Sequence, residues 1–249
     1  MTPLIESAIV ALVALLIGLS KGGMGAVLVV LATPLLSQVM PVTDAISLTL
    51  PLLLIADVFA LWMYRRTWDM HYIRLMLPAA VVGVIIGTAL LASLPDLALR
   101  RILGFFTLAF VIYKVWIEAR IGAAYTSKSW HGVLAGGASG LASALANNGA
   151  PPFTAYMLLQ NLTPRAFVGT TTLFFAIVNA IKLPGLVATD LFNFENLAAA
   201  WWSIPIIPIG VWTGRWIVNR IDKQAFERFI LATLVAASLF LLMTTPPGR

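Results

Sequence analysis

The residues able to do chemistry in this chain are few, and most of them stand in two glycine-rich clusters. The first is Gly18-Leu19-Ser20-Lys21-Gly22-Gly23-Met24-Gly25. The second runs from Gly136-Gly137-Ala138-Ser139-Gly140 to Ala146-Asn147-Asn148-Gly149-Ala150-Pro151-Pro152. Glycine and proline both disfavour a helix interior, so the clusters predict unwound backbone inside otherwise apolar segments. At membrane depth such backbone is tolerated only against protein or a water-filled cavity. Helix N-termini starting there would aim free N–H groups and a positive dipole end inward. Lys21 adds a full positive charge, and Asn147 and Asn148 add side-chain donors. Such a set suits a small oxyanion. The expected anion-binding residues are Ser20, Lys21, Gly22, Gly23 and Gly25 from the first cluster and Asn147, Asn148 and Gly149 from the second, with Thr171 and Thr172 beside them. Plainer readings stay open. Glycine pairs often serve as helix-packing surfaces, Lys21 can snorkel to the interface, and Asn147-Asn148-Gly149 is compatible with a surface turn.

Asp57 is the other outlier. It lies in Pro51-Leu52-Leu53-Leu54-Ile55-Ala56-Asp57-Val58, well inside an apolar run. An acid at that depth is expensive and marks a functional candidate. Its expected role is coupling: to carry a proton or to pair with Lys21 or Lys182. The alternative places it nearer the interface, paired with Arg65 or Arg66. The run Thr170-Thr171-Thr172 and Asn179 are polar groups on an apolar segment, and threonine hydroxyls often bond their own helix backbone. No catalytic constellation is found. The chain has no Cys and only two histidines, His71 and His131. A thiolate metal site, a cysteine nucleophile and a histidine metal cluster are therefore not expected. No cofactor and no metal is expected.

The elements that must hold these residues follow from the distribution of charge. Of 249 residues, 60% are hydrophobic and only 10% are charged, against roughly 25% in a soluble domain. The charges leave long gaps: 22 residues over Gly22–Thr43, 21 over Leu75–Pro95, 33 over Gly132–Pro164, 19 over Asn196–Gly214 and 20 over Phe229–Gly248. A helix needs about 20 apolar residues to cross the hydrocarbon core. The chain is therefore an all-α polytopic membrane protein, and its continuous runs exclude a barrel, whose strands alternate. The acidic start Met1-Thr2-Pro3-Leu4-Ile5-Glu6 does not read as a cleaved signal peptide. Ten hydrophobic segments are expected, near 4–19, 24–39, 43–63, 74–93, 101–117, 131–146, 150–161, 164–184, 198–217 and 226–244. Two of them, 4–19 and 24–39, reach only about 24 Å at 1.5 Å per residue. They and the shorter 150–161 are candidates for half-membrane helices.

The halves resemble each other. Leu35-Leu36-Ser37-Gln38-Val39-Met40-Pro41 matches Leu158-Leu159-Gln160-Asn161-Leu162-Thr163-Pro164, an offset of 123 that also sets Thr49 on Thr172 and Gly87 on Gly210. An offset of 122 sets Gly18 on Gly140. Each half is then a unit of about five segments, and an odd number of crossings inverts the second copy. The expectation is two inverted-topology repeats, as in many secondary transporters, at 1–120 and 131–249 with a cytoplasmic linker at 121–130. The loops 64–74, 114–131, 161–166 and 215–228 hold 11 of the 16 Lys and Arg. Arg100, Arg101, Lys182 and Arg249 fall on the opposite side, and Lys21 is unassigned. Cytoplasmic loops carry the basic excess, so both termini are expected outside. Topology thus accounts for the net charge of +6 without nucleic acid. Trp62, Trp68, Trp116, Trp130, Trp201 and Trp202 lie near span ends and read as interfacial belt residues.

The glycine motif around Lys21 resembles the opening motif of the sulfite exporter TauE/SafE family. The stretch Gly149-Ala150-Pro151-Pro152-Phe153, followed by Leu158 and Pro164, resembles that family's second-repeat motif, and Phe167-Val168-Gly169-Thr170-Thr171 fits it too. The resemblance covers nearly the whole chain. The family often has further glycines where this chain has Asn147-Asn148. The resemblance implies export of a small sulfur-containing or organic anion, such as sulfite or a sulfonate, across the bacterial inner membrane, and two inverted repeats would alternate access by rocking of one part against the other. Composition and spacing alone reach only a transporter-like protein for an anion. An anion channel, a membrane-embedded enzyme and a non-transporting membrane partner are the competing classes. The expected partners are a small anionic substrate and the lipid bilayer, with a homodimer as the open alternative to a monomer.

Overall fold

A computed structural model describes residues 3–24, 28–36, 38–91, 128–147, 149–188 and 194–220, with the single positions 112, 192, 222, 225, 228, 232, 235 and 243. Every regular element among them is helical. Helix α1 (Pro3–Leu19) runs into a π-helical turn, Ser20–Met24. A 3-10 turn (Leu28–Leu31) leads into the short α2 (Ala32–Leu36). Two long helices follow, α3 (Val42–Met63) and α4 (Met70–Leu91). The second half holds α5 (Ser129–Ala146), α6 (Ala150–Met157) and α7 (Pro164–Ala188). It continues through α8 (Phe194–Ala199), a 3-10 turn (Trp201–Ser203) and α9 (Ile206–Val218).

Helix starts have local causes. The Asp69 carboxylate accepts the His71 N–H at 2.8 Å at the head of α4, and the Thr163 hydroxyl accepts the Ala166 N–H at 3.2 Å at the head of α7. Each satisfies a donor that the first turn leaves open. Among the described residues, four helices are long and apolar enough to cross a membrane: Leu4–Met24, Asp44–Met63, Met70–Leu90 and Pro164–Ala188. Their outer faces are apolar as well. Val58, Trp62, Ile85, Leu134 and Trp212 are each 60–67% exposed. In water such a surface would drive association; against lipid it is matched. The chain is a multi-pass membrane protein.

Several expectations about the segments need correction. The first does not stop near residue 19, because the π-turn extends it to Met24 and gives a 21-residue span. The segment expected at 198–217 is broken into a six-residue helix, a 3-10 turn and a 13-residue helix. The segment expected to end at 184 continues through Pro184 to Ala188. The segments at 101–117 and 226–244 lie outside the described residues apart from single positions, as do most of the linker at 121–130 and Trp116.

Two helix pairs are held by glycines. Along α1 and α9, Gly18 and Gly22 lie against the backbone of Ile207, Gly210 and Val211, and Gly214 against Leu19 and Gly22. Along α4 and α5, Gly136 and Gly140 lie against the backbone of Met76 and Ala80, and Gly83 against Gly137 and Leu141. A Cβ at these positions would collide with a neighbouring carbonyl. Small residues at such crossings bring helix backbones into direct contact, where dispersion forces act in a solvent that supplies no hydrophobic drive. Unwound backbone was the expectation for Gly136-Gly137-Ala138-Ser139-Gly140. The cluster instead sits mid-way along the continuous α5, so these glycines serve packing.

The loop contacts gather at one end of the bundle. The Asp69 N–H donates to the Thr170 hydroxyl at 2.9 Å, and the Tyr72 hydroxyl to Gln160 Oε1 at 3.4 Å. Gly132 faces Leu75 and Tyr156, while Gly23 faces Tyr64 and Val218.

Candidate functional site

Both chain breaks are real, and they lie near opposite ends of α3. The first is the π-turn. Gly23 has φ 131 and ψ −9, a region that glycine enters freely and other residues rarely do. The carbonyl of the preceding Gly22 accepts a hydrogen bond from the buried Tyr64 hydroxyl, just past the end of α3. The second break is at Asn147, which closes α5 in the left-handed conformation (φ 55, ψ 22). Asparagine tolerates this better than most residues. Its side-chain Nδ2 donates to the Ile46 carbonyl at 3.1 Å, in the first turns of α3. From residue 46 to 64 a helix rises about 27 Å. The chain turns on at Gly149 into α6, where Pro151 and Pro152 suit the first turn because their missing N–H groups would lack helical partners anyway. All eight residues of α6 are buried.

Between the breaks lies a polar centre inside the apolar core. Lys21 reaches out of the π-turn and sets its Nζ 2.5 Å from Asp57 Oδ1, with both side chains at most 4% exposed. The other carboxylate oxygen, Oδ2, accepts from Asn179 Nδ2 at 2.8 Å. The Lys21 ammonium also stands 5.7 Å from the centroid of the Phe175 ring. Lys182, one turn along α7 from Asn179, is 2% exposed. Its Nζ donates to Asn147 Oδ1 at 2.6 Å and to the Ser143 carbonyl at 3.0 Å. Lys21, Ser143, Asn147, Gly149, Phe175 and Asn179 line a cavity of about 20 Å³. Such a volume takes about one water-sized sphere, so a four-atom oxyanion would have to widen it. Below the cavity Phe153 stacks on Phe174 at 4.5 Å, and Phe175 meets both rings edge-on at 5.0 and 5.3 Å, closing one wall.

The expected site residues fall into three groups. Lys21, Asn147 and Gly149 line the cavity, and Asp57 anchors it. Ser20, Gly22 and Gly23 form the buried turn that carries Lys21, with Gly22 against the Val211 backbone and its carbonyl held by Tyr64. Thr171 and Thr172 are buried in α7 but do not line the cavity. The Thr171 hydroxyl bonds its own helix at Phe167 O (2.7 Å), and Thr170 does the same at Ala166 O (2.8 Å). Gly25 and Asn148 lie outside the described residues. Asp57 pairs with Lys21, whereas Arg65 and Arg66 are exposed.

Lys182 corrects the charge map. The expectation counted it among the cations of the outer side, but it is inside a helix and buried in the core. Asn179 and Ser143 also belong to the centre. A signal for the first existed, because Asn179 and Lys182 at i and i+3 share one helix face. Ser143 acts through its backbone carbonyl, which no side-chain pattern reveals. Among the described residues, no group of three or more His, Asp or Glu is arranged to hold a metal ion.

Helices with lipid-matched outer faces and a buried, charged, hydrogen-bonded centre define a polytopic membrane protein with an enclosed polar site. The chain belongs to the sulfite exporter TauE/SafE family, whose model matches residues 10–241. That family is one of membrane transporters for sulfite-like anions, not an enzyme class. Searches of curated proteins and of solved structures each found no match.

Proposed function

We propose that the chain is a secondary transporter that moves a small oxyanion, sulfite or a sulfonate, by alternating access between the two breaks. The observation that carries this reading is the meeting of two buried amines, Lys21 and Lys182, with, among the described residues, only one carboxylate, Asp57. Ionisable groups at this depth are costly and mark pathways or binding sites. The surplus amine is a place for one negative charge. Asn147 and Asn179 supply amide groups beside it, and the ring of Phe175 and the apolar side chains of Val29 and Leu53 form the rest of the wall. The turn made by Ser20, Gly22 and Gly23 positions Lys21, and we keep Gly25, Asn148 and Thr172 as candidates for contact once the cavity widens, while Thr171, whose hydroxyl bonds its own helix, is left out of the path. Asp57 is assigned first to holding Lys21.

Inverted repeats at 1–120 and 131–249 are part of the same proposal. Asp57 and Asn179, which bond each other, are 122 positions apart, the offset that sets Gly18 on Gly140. Gly18 packs on α9 of the other half and Gly140 on α4 of the other half. The breaks enter from opposite ends of α3, as inversion requires. The basic loops that share one end support a cytoplasmic assignment for it, in a bacterial inner membrane, with the termini outside.

The test is sulfite flux into vesicles carrying the purified protein, measured against protein-free vesicles. Saturable flux that a competing anion slows is expected of a carrier. Non-saturating flux would favour a channel. Lys21→Ala is expected to abolish most of the flux, and unchanged flux would sink the role of Lys21.

A further inference from the structure

The two buried lysines differ in one respect that bears on what travels with the anion. Lys21 has a carboxylate partner at 2.5 Å. Lys182 has, among the described residues, no carboxylate within salt-bridge distance. Its Nζ meets two neutral acceptors, Ser143 O and Asn147 Oδ1. A neutral amine carries two N–H donors and one lone pair, and two acceptors satisfy it. An ammonium carries three donors, and among the described residues the third has no partner. A buried charge without a partner is strongly unfavourable. The charged groups that act on Lys182 are Lys21, from the π-turn, and Asp57, from α3. Helices α4, α5 and α6 also pack on α7 and bring no charged group that acts on it.

We propose that Lys182 is the proton site of the carrier: it is neutral in the unloaded centre and takes up one proton when the anion binds. This rests on the transport reading above. The balance is simple. The lone pair on Nζ accepts a proton from the aqueous side that is open, the resulting ammonium takes the anion as its counter-ion, and the Lys21–Asp57 pair stays as it is. The centre is neutral before and after loading. Anion and proton then cross together in the same direction, and the membrane potential does no work on the step.

Binding and transport test this separately. Titration of the purified protein with methanesulfonate, an anion with no proton of its own near neutral pH, is followed by calorimetry in buffers of different ionisation enthalpy. Uptake approaching one proton per anion is expected at pH 8. Binding without uptake at pH 8 overturns the proposal. Lys182→Arg stays charged at any working pH and is expected to bind without uptake; uptake that survives in it overturns the assignment. Where that bulkier side chain abolishes binding, Lys182→Gln, of similar length and with no group that takes up a proton, replaces it, and uptake that survives in it overturns the assignment. In vesicles, a 100 mV diffusion potential would shift the accumulation ratio of a lone monovalent anion about 50-fold. No shift is expected for methanesulfonate or bisulfite, and a shift of that size overturns the proposal. No binding and no flux of any of these anions by the folded protein overturns the transport reading itself, whereas flux or binding without the proton overturns only this inference.

Discussion

Breaking the pair between Lys21 and Asp57 is expected to be costly one residue at a time and much less so when both are replaced together. With both side chains at most 4% exposed and the contact at 2.5 Å, solvent screening offers little relief. Removing one partner leaves the other charge buried alone, which costs about 3–5 kcal/mol. Lys21→Met leaves Asp57 with only the Asn179 amide, and Asp57→Leu leaves Lys21 with only the face of Phe175. Replacing both by apolar residues of similar size is often close to neutral. The single losses of about 3–5 kcal/mol each should therefore not add, and the coupling between them should exceed about 2 kcal/mol. The assay is a double-mutant cycle on reversible unfolding in detergent micelles or bicelles, with wild type, both singles and the double measured under one condition. Single losses that sum to the double, within about 0.5 kcal/mol, would refute the pair as a buried ion pair and remove Asp57 as the anchor of Lys21.

Other positions carry smaller, separable expectations. Gly140→Val drives a branched side chain into the Ala80 backbone; a loss of at least about 1–3 kcal/mol is expected, read as a lower melting temperature in detergent. Tyr64→Phe removes the hydroxyl that holds the Gly22 carbonyl and leaves a buried acceptor open, costing about 1–3 kcal/mol by the same melt. Thr171→Val deletes a hydroxyl that bonds only its own helix at Phe167; sulfite flux should stay within about twofold of wild type, since any stability effect of such a bond is about 1 kcal/mol. A larger drop in flux would return Thr171 to the anion path.

Much of this centre was legible in the sequence because charge is rare in the chain. Asp57 stood out as an acid within an apolar run, and Lys21 as a cation among glycines. Asn147 preceded a Gly-Ala-Pro-Pro start that no continuous helix would carry. Lys182 was counted with the outer cations because it stands near the expected segment end at 184, yet α7 runs on to Ala188. A proline near the end of a helix removes one hydrogen bond without obliging the chain to stop, so Lys182 stands six residues before the end of α7 and not two. The glycines of α5 failed for a different reason. A glycine that breaks a helix and a glycine that lets another helix approach have the same local sequence, and only the partner surface at Met76 and Ala80 tells them apart. The Ser143 carbonyl was beyond reach because the backbone is the same at every position; its role comes from where Lys182 lands.

The packing of α1 on α9 has a consequence for how the protein is made. Gly18 finds its contact at Gly210, which emerges from the ribosome 192 residues later. At synthesis rates of about 5–20 residues per second, that is a wait of about 10–40 s. During the wait the bare glycine face of the first helix is in the membrane without its partner. Helix α9 therefore completes the cover of α1. A chain truncated before residue 206 would keep α1 against α2 and α3 but leave its glycine face uncovered and open to capture by quality-control proteases or by another copy's α9.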